Sequence, residues 1–306
     1  MSEVLRGVAY NLGPSAPSPD GILLSYPSTN QMPIIDTHAH IYSPDETKYP
    51  TIEEPLRPPA GKGSLEDLKK ESRGNKVDAI CAIQTSTFYR FDNRYILDSS
   101  KANPDWVAGV CTLNPDDPRS TSLLVRNARE FGIRGMRSIA AADKRLDHPG
   151  VRALWQTALD EGIVINVLTG PRLADQVDRL LGQFPSLPVV LDHCFNPAVG
   201  PDLEKIVEKV LYLSRHNNLH AKLTFVPTGS TTGFPCADLH DACMRIVKAY
   251  GAERCVWGSD YPNGLWTPKV SYAEHLKIFT DVLPFTTRER EAVLGGTAKR
   301  LWFPNS

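Results

Sequence analysis

Three histidines and one aspartate carry the chemistry that can be read most directly from this chain. The segment Ile34-Ile35-Asp36-Thr37-His38-Ala39-His40 begins apolar and ends in a His-x-His. In extended backbone, residues two apart point the same way, so His38 and His40 can converge on one point. Imidazole nitrogens ligate divalent metals, and a neutral imidazole also polarises a carbonyl by hydrogen bonding. His193 directly follows the run Val189-Val190-Leu191-Asp192, and Asp260 lies just past Cys255-Val256-Trp257-Gly258-Ser259. The Asp260 carboxylate can bind a metal, take a proton from water, or do both in sequence. Its bland alternative is an aspartate that opens a turn before Pro262. Gly258 would let backbone approach a site closely.

These residues share a position: each sits at the end of a short apolar run. Such runs cover Pro33–His38, Val77–Gln84, Val107–Asn114, Ile133–Arg137, Ile163–Leu168, Val189–Asp192, Leu219–Phe225 and Cys255–Gly258. Most are β-branched-rich and apolar on successive residues, as expected of parallel strands buried on both faces. Helical signals lie between them. Ser64-Leu65-Glu66-Asp67 has the form of a capping box, and Val151, Leu154, Trp155, Ala158 and Leu159 make an i, i+3, i+4, i+7, i+8 stripe. Leu173, Val177, Leu180 and Leu181 repeat it, and Thr286 with Glu289 can cap a last helix through Val293, Leu294, Ala298 and Leu301. Eight strands each followed by a helix predict an α/β fold, a (β/α)8 TIM barrel, with functional groups at the C-terminal strand ends. An open doubly wound sheet is the rival, but no Gly-x-Gly-x-x-Gly or P-loop follows any strand.

Other strand ends offer substrate contacts. Arg137 ends the fourth run and suits bidentate capture of a carboxylate, unless it or Arg134 makes a surface ion pair. Gln84, Lys222 and Asn263 are candidates for hydrogen bonds to substrate, and Tyr42 and Tyr89 for the lining of the mouth. Residues 1–32, rich in Pro, Ser and Gly, read as an N-terminal extension to a barrel domain over 33–306. The Pro44–Gly63 stretch reads as a long loop, either a substrate lid or an ordered surface loop. Two patterns are decoys. Cys236, His240 and Cys243 can share a helical face but supply only three ligands away from the strand ends. Thr228–Gly233 lacks the Gly-x-Ser-x-Gly of a nucleophile elbow.

Composition narrows the partners. A formal charge of −1 without a Lys/Arg block argues against nucleic acid and anionic membranes. No run approaches the roughly 18 apolar residues of a membrane span. The opening segment lacks the basic start and apolar core of a secretory signal. Six cysteines without paired spacing suit buried thiols in a reducing compartment, so a cytoplasmic location is expected. The expected partner is a small, anionic substrate, and a homo-oligomer is compatible with the pattern.

The segments IIDTHAH, VVLDHC and VWGSDYP resemble those of the amidohydrolase-related group that contains sugar lactonases, pyrone-dicarboxylate lactonases and sulfomuconolactone hydrolases. Aminocarboxymuconate semialdehyde decarboxylase is a more distant member of that group. The resemblance spans residues 33–303, with IRGMR, WQTALDEGIVINVL, LHAKLTF and LGGTAKRLW in the expected order. It implies that His38 and His40 are the family's His-x-His, His193 its sixth-strand histidine and Asp260 its catalytic aspartate. In the lactonases, an arginine at the position of Arg137 binds an acidic substrate group. The fifth strand departs from the metal-dependent pattern, because Ile163–Thr169 holds neither lysine nor histidine. The resemblance then implies one divalent metal, zinc or manganese, on His38, His40, His193 and Asp260, or a metal-free site like that of the pyrone-dicarboxylate lactonases. The expected function is a hydrolase that opens a lactone by water attack, with Asp260 as general base and His193 or a metal polarising the carbonyl. A metal-dependent non-oxidative decarboxylase is the alternative, and a non-catalytic binding barrel a third reading.

Overall fold

Successive apolar runs pair in chain order as eight parallel strands. In the computed structural model, which describes residues 32–304, they are β1 (Ile35–His40), β2 (Ala79–Ile83), β3 (Val107–Thr112), β4 (Gly135–Ser138), β5 (Val164–Val167), β6 (Val189–Leu191), β7 (Leu219–Lys222) and β8 (Cys255–Val256). The ring closes where the chain leaving β8 meets β1: Thr37 N donates to Trp257 O at 3.2 Å and His40 N to Tyr261 O at 2.8 Å. This is the TIM barrel the alternation predicts. Every strand differs from its expected run by one to three residues at an end, and two of the differences bear on the site. β1 runs two residues further and carries both histidines within the strand, with a register irregularity against β2 between Asp36 and Ala39. β7 stops at Lys222, because Phe225 opens a short helix, Phe225–Gly229, instead of extending the sheet.

Alternation along each strand divides the apolar residues between two cores. Ile80 and Ala82 join the large outer layer under the helices, together with Val151, Leu154, Trp155 and Ala158 of the helix Pro149–Asp160. Pro149 at the first turn and the His148 side chain, which accepts from Gly150 N, start that helix. Ala79, Cys81 and Ile83 pack instead with Ala108, Val110, Val164 and Val190 around Trp302 and Phe303. The C-terminal helix Thr297–Trp302 thus supplies part of the inner core. All six cysteines are buried and free.

The Pro44–Gly63 stretch is an ordered loop. Tyr42 N donates to Gly63 O at 2.8 Å across its base, and Ile52 N and Leu56 N bond to Phe88 O and Thr87 O at 2.9 and 3.0 Å. These ties fix it against the helix Ser86–Tyr89. The expected N-terminal extension lies outside the described residues apart from Met32. Among the described residues no helix is long and apolar enough to cross a membrane.

Candidate active site

Asp36 sets the seam on which the site is built. Its buried carboxylate accepts from Ser259 Oγ at 2.6 Å, Ser259 N at 2.8 Å, Tyr272 OH at 3.0 Å and His38 N at 3.0 Å. The chain beyond β8 is thereby clamped to β1. Gly258 is needed for the approach, since a Cβ there would lie 2.7 Å from His38 Cβ and 2.9 Å from His38 N. Asp260 follows in left-handed backbone, φ 57°, with its N–H donating to His38 O at 2.9 Å. That turn brings Asp260 Oδ1 to 3.5 Å from His38 Nε2 and 4.0 Å from His40 Nε2.

His193 arrives by a different device. His193, Cys194, Phe195 and Asn196 have φ of 55°, 48°, 65° and 55°, a run of non-glycine residues in the left-handed region. Each such residue costs on the order of 1–3 kcal/mol and persists where its surroundings over-determine it. Here Cys194 Sγ donates to Lys222 O at 3.3 Å, Phe195 is buried, and Asn196 N donates to His193 O at 2.7 Å. The turn sets the His193 ring 4.5 Å from that of His38, centroid to centroid, with Nδ1 2.6 Å from Thr224 Oγ1.

Below the histidines lies a buried charge network. Asp192, the last residue before His193, receives Lys222 Nζ at 2.8 Å, Arg137 Nε at 3.1 Å and Asn166 Nδ2 at 3.2 Å. Burial alone would raise its pKa, but Lys222 and Arg137 hold it well below the usual carboxylate range. Arg137 Nη2 lies 2.8 Å from His38 Nε2, and Lys222 Nζ lies 3.3 Å from His38 Nδ1. A guanidinium only donates, so Nε2 of His38 is the acceptor. His40 Nδ1 lies 3.0 Å from the Ile83 carbonyl, which only accepts; Nδ1 therefore carries the proton and Nε2 offers a lone pair.

The titratable groups are driven apart. Burial, and then the Arg137 charge, lower His40 to about 3. Burial also lowers His193 to about 3, with Arg137 adding to it and Asp192 opposing. His38 lies well below its ordinary value through burial and then Lys222. Asp260 moves the other way, raised to about 7 by burial and by the Asp192 and Asp36 carboxylates against the pull of Arg137 and Lys222. Neutral imidazoles beside a carboxyl that titrates near neutrality are an arrangement suited to proton transfer.

A cavity of about 370 Å³ opens onto this group, with His40, Arg137, His193, Asp260, Ser86 and Trp266 in its wall. The structure therefore brings together His38, His40, His193, Asp260 and Arg137. Other expected substrate contacts lie elsewhere. Lys222 is fully buried beneath His38 and outside the cavity wall. Gln84 Nε2 donates to Asp92 O at 2.8 Å and Arg90 O at 3.3 Å, holding the loop after β2. Asn263 Nδ2 donates to Thr267 Oγ1 at 2.8 Å and Ser259 O at 3.0 Å, bracing the turn after Asp260. Tyr42 packs edge-on against Phe88 and lines a separate cleft under the Pro44–Gly63 loop, while buried Tyr89 bonds Ser43 N through its hydroxyl.

The bidentate carboxylate clamp expected of Arg137 is not formed toward the cavity, because Nε and Nη2 point to Asp192 and His38. Asp192, Asn166 and Thr224 join the site without a motif that marks them in the sequence. The available signal was an aspartate and an asparagine at the ends of otherwise apolar strands. The decoys dissolve: His240 Nε2 bonds Pro235 O at 2.8 Å, and Ser230 and Thr231 bond Asp238.

Among the described residues, His38, His193 and Asp260 form the group whose donor atoms lie close enough for a shared metal, within 4.8 Å of one another, and His40 is not part of it. Distance suits an ion, but the donor set does not: both ring nitrogens of His38 face cationic groups, and its one lone pair accepts from Arg137.

The sequence profile of the amidohydrolase family matches residues 35–303. The chain belongs to the amidohydrolase family. An L-fucono-1,5-lactonase of Burkholderia ambifaria is 25% identical to this amidohydrolase over 236 residues, 74% of this chain and 80% of the relative. A crystal structure of a candidate 2-pyrone-4,6-dicarboxylic acid hydrolase from Pseudomonas putida superposes with a TM-score of 0.74 at 24% identity, over 90% of this chain and 99% of that one. A zinc-bound amidohydrolase of Burkholderia multivorans superposes with a TM-score of 0.73 at 21% identity, over 88% and 99%. At those identities the superpositions establish the barrel, and the lactonase relative adds a chemical direction.

Proposed function

We propose that this amidohydrolase opens a lactone by direct attack of water, with Asp260 as general base. The observation that carries the reading is a pair of acceptors in the cavity wall, His40 Nε2 and Asp260 Oδ1, 4.0 Å apart. One water between them can give a proton to each, which turns its remaining lone pair toward a bound carbonyl. Asp260, raised to about 7 by burial first, is a stronger base than an ordinary carboxylate. A positioned base of this kind contributes roughly 10²–10⁴-fold. The likeness to an L-fucono-1,5-lactonase supports a lactone as the substrate.

The bonds follow in order. The water oxygen attacks the lactone carbonyl carbon while its proton moves to Asp260. The resulting oxyanion is met by the free side of the Arg137 guanidinium, the one cationic side chain in this cavity's wall among the described residues, and by the His193 ring. Fixed donors at a developing oxyanion are worth about 10²–10³-fold each. As the ring C–O bond breaks, Asp260 returns its proton to the departing alkoxide, leaving an open-chain hydroxy acid. Arg137 thus serves the reacting oxygen, and the capture of a remote anionic group expected from sequence is not needed for the step.

Proton release from the product acid, followed with a pH indicator on L-fucono-1,5-lactone, other aldonolactones and 2-pyrone-4,6-dicarboxylate, tests this. Turnover on at least one lactone is expected. Carbon dioxide release from an aromatic or dicarboxylic acid, with no lactone opened, would replace the reading by the decarboxylase.

A further inference from the structure

We infer that Arg137, clamped by Asp192, excludes a divalent ion from this centre and supplies its positive charge in the ion's place. Donor atoms of two imidazoles and a carboxylate within 4.8 Å of one another make an ion there the natural expectation, so the inference is about this chain's own residues. An ion shared by His38, His193 and Asp260 needs a lone pair on His38. The imidazole has one to give, and Arg137 Nη2 donates to it at 2.8 Å. The other ring nitrogen has the Lys222 ammonium 3.3 Å away, so turning the ring over restores no free donor.

Arg137 is not free to swing aside. Its Nε is bonded to Asp192 at 3.1 Å, and Asp192 is itself fixed by Lys222 at 2.8 Å and Asn166 at 3.2 Å. All four side chains are buried. Charge points the same way. The Arg137 and Lys222 cations already lie against His38, with the buried Asp192 carboxylate bonded to both. A divalent ion held by His38 would sit beside those two cations away from water, where like charges repel most strongly. This exclusion holds whatever bond the enzyme hydrolyses, so its test does not depend on knowing the substrate.

The test is zinc binding by the full chain, measured by calorimetry and by metal analysis after desalting. Wild-type protein is expected to retain no stoichiometric zinc, and the His38 ring nitrogens, read by ¹⁵N NMR, to keep one tautomer with or without zinc. Arg137→Met, shown folded by circular dichroism, is expected to gain one zinc per chain, and the further change His38→Ala to abolish it. One equivalent of zinc on the wild-type protein with a shifted His38 resonance overturns the inference, as does a folded Arg137→Met protein that still binds none. The NMR measurement needs only wild-type protein and decides the matter if the variant does not fold.

Discussion

Asp260 holds its carboxyl among the buried carboxylates Asp36 and Asp192, in backbone with φ 57°. Burial and those neighbours raise it from 3.8 in the unfolded chain to about 7. The sign follows from linkage. Below about pH 4 the group is protonated in both states and costs the fold nothing; between 4 and 7 only the unfolded state ionises, so stability falls as pH rises and then levels. A shift of this size corresponds to at most about 4 kcal/mol. Asp260→Asn removes the charge, and asparagine tolerates a left-handed φ. Chemical denaturation at pH 8 should find the variant more stable than wild type, with the two converging near pH 4. Activity runs the opposite way. Because the base must be ionised, kcat/KM of the wild-type enzyme should rise about tenfold per pH unit up to about 7 and then flatten. A flat profile from pH 5 to 8 would remove Asp260 from that role. At this scale much was legible in the sequence, since His38, His40, His193, Asp260 and Arg137 each close an apolar run. Asp192 was not, because its partners Arg137, Asn166 and Lys222 meet it only in the folded barrel, from β4, β5 and β7.

Between β8 and β1 the site depends on a backbone approach that Gly258 permits. A methyl at that position would meet His38 Cβ at 2.7 Å and Thr224 Cγ2 at 3.0 Å, displacing two groups that shape the site. Overpacking of this kind typically costs about 1–3 kcal/mol. Gly258→Ala should therefore fold, with a lowered unfolding midpoint, while kcat falls by tenfold or more because His38 and Thr224 are shifted. An unchanged kcat would show that the seam tolerates movement. Sequence patterning located every strand, but not every end. β7 was read through Phe225 because apolar residues continue, yet a helix begins there; hydrophobicity does not distinguish the two. Nor does composition announce the left-handed run from His193 to Asn196, which tertiary contacts hold in place.

Across the whole barrel, chemistry and stability meet where the inner core touches the charged network, with the Trp302 ring 5.7 Å from Lys222 Nζ. The strand C-termini carry the charged network, and Trp302 of the C-terminal helix, fully buried, fills the inner core with Phe303. Trp302→Ala should cost about 3–5 kcal/mol, read as a lower denaturation midpoint. Turnover should fall as well, since the Lys222 that packs on this ring also holds His38 and Asp192; an unchanged kcat would show that the plug and the site are independent. The barrel itself was legible from eight apolar runs alternating with helical stripes, whereas the plugging role of Trp302 was not, since nothing local separates a plug from a surface helix. The proposed lactone opening turns on water attack with Asp260 as base. Its most direct measurement is proton release on a panel of aldonolactones by wild-type and Asp260→Asn protein, both shown folded. A loss of at least about 10²-fold in kcat in the variant, with solvent ¹⁸O entering the product carboxylate, is predicted. Near wild-type turnover by Asp260→Asn would contradict it.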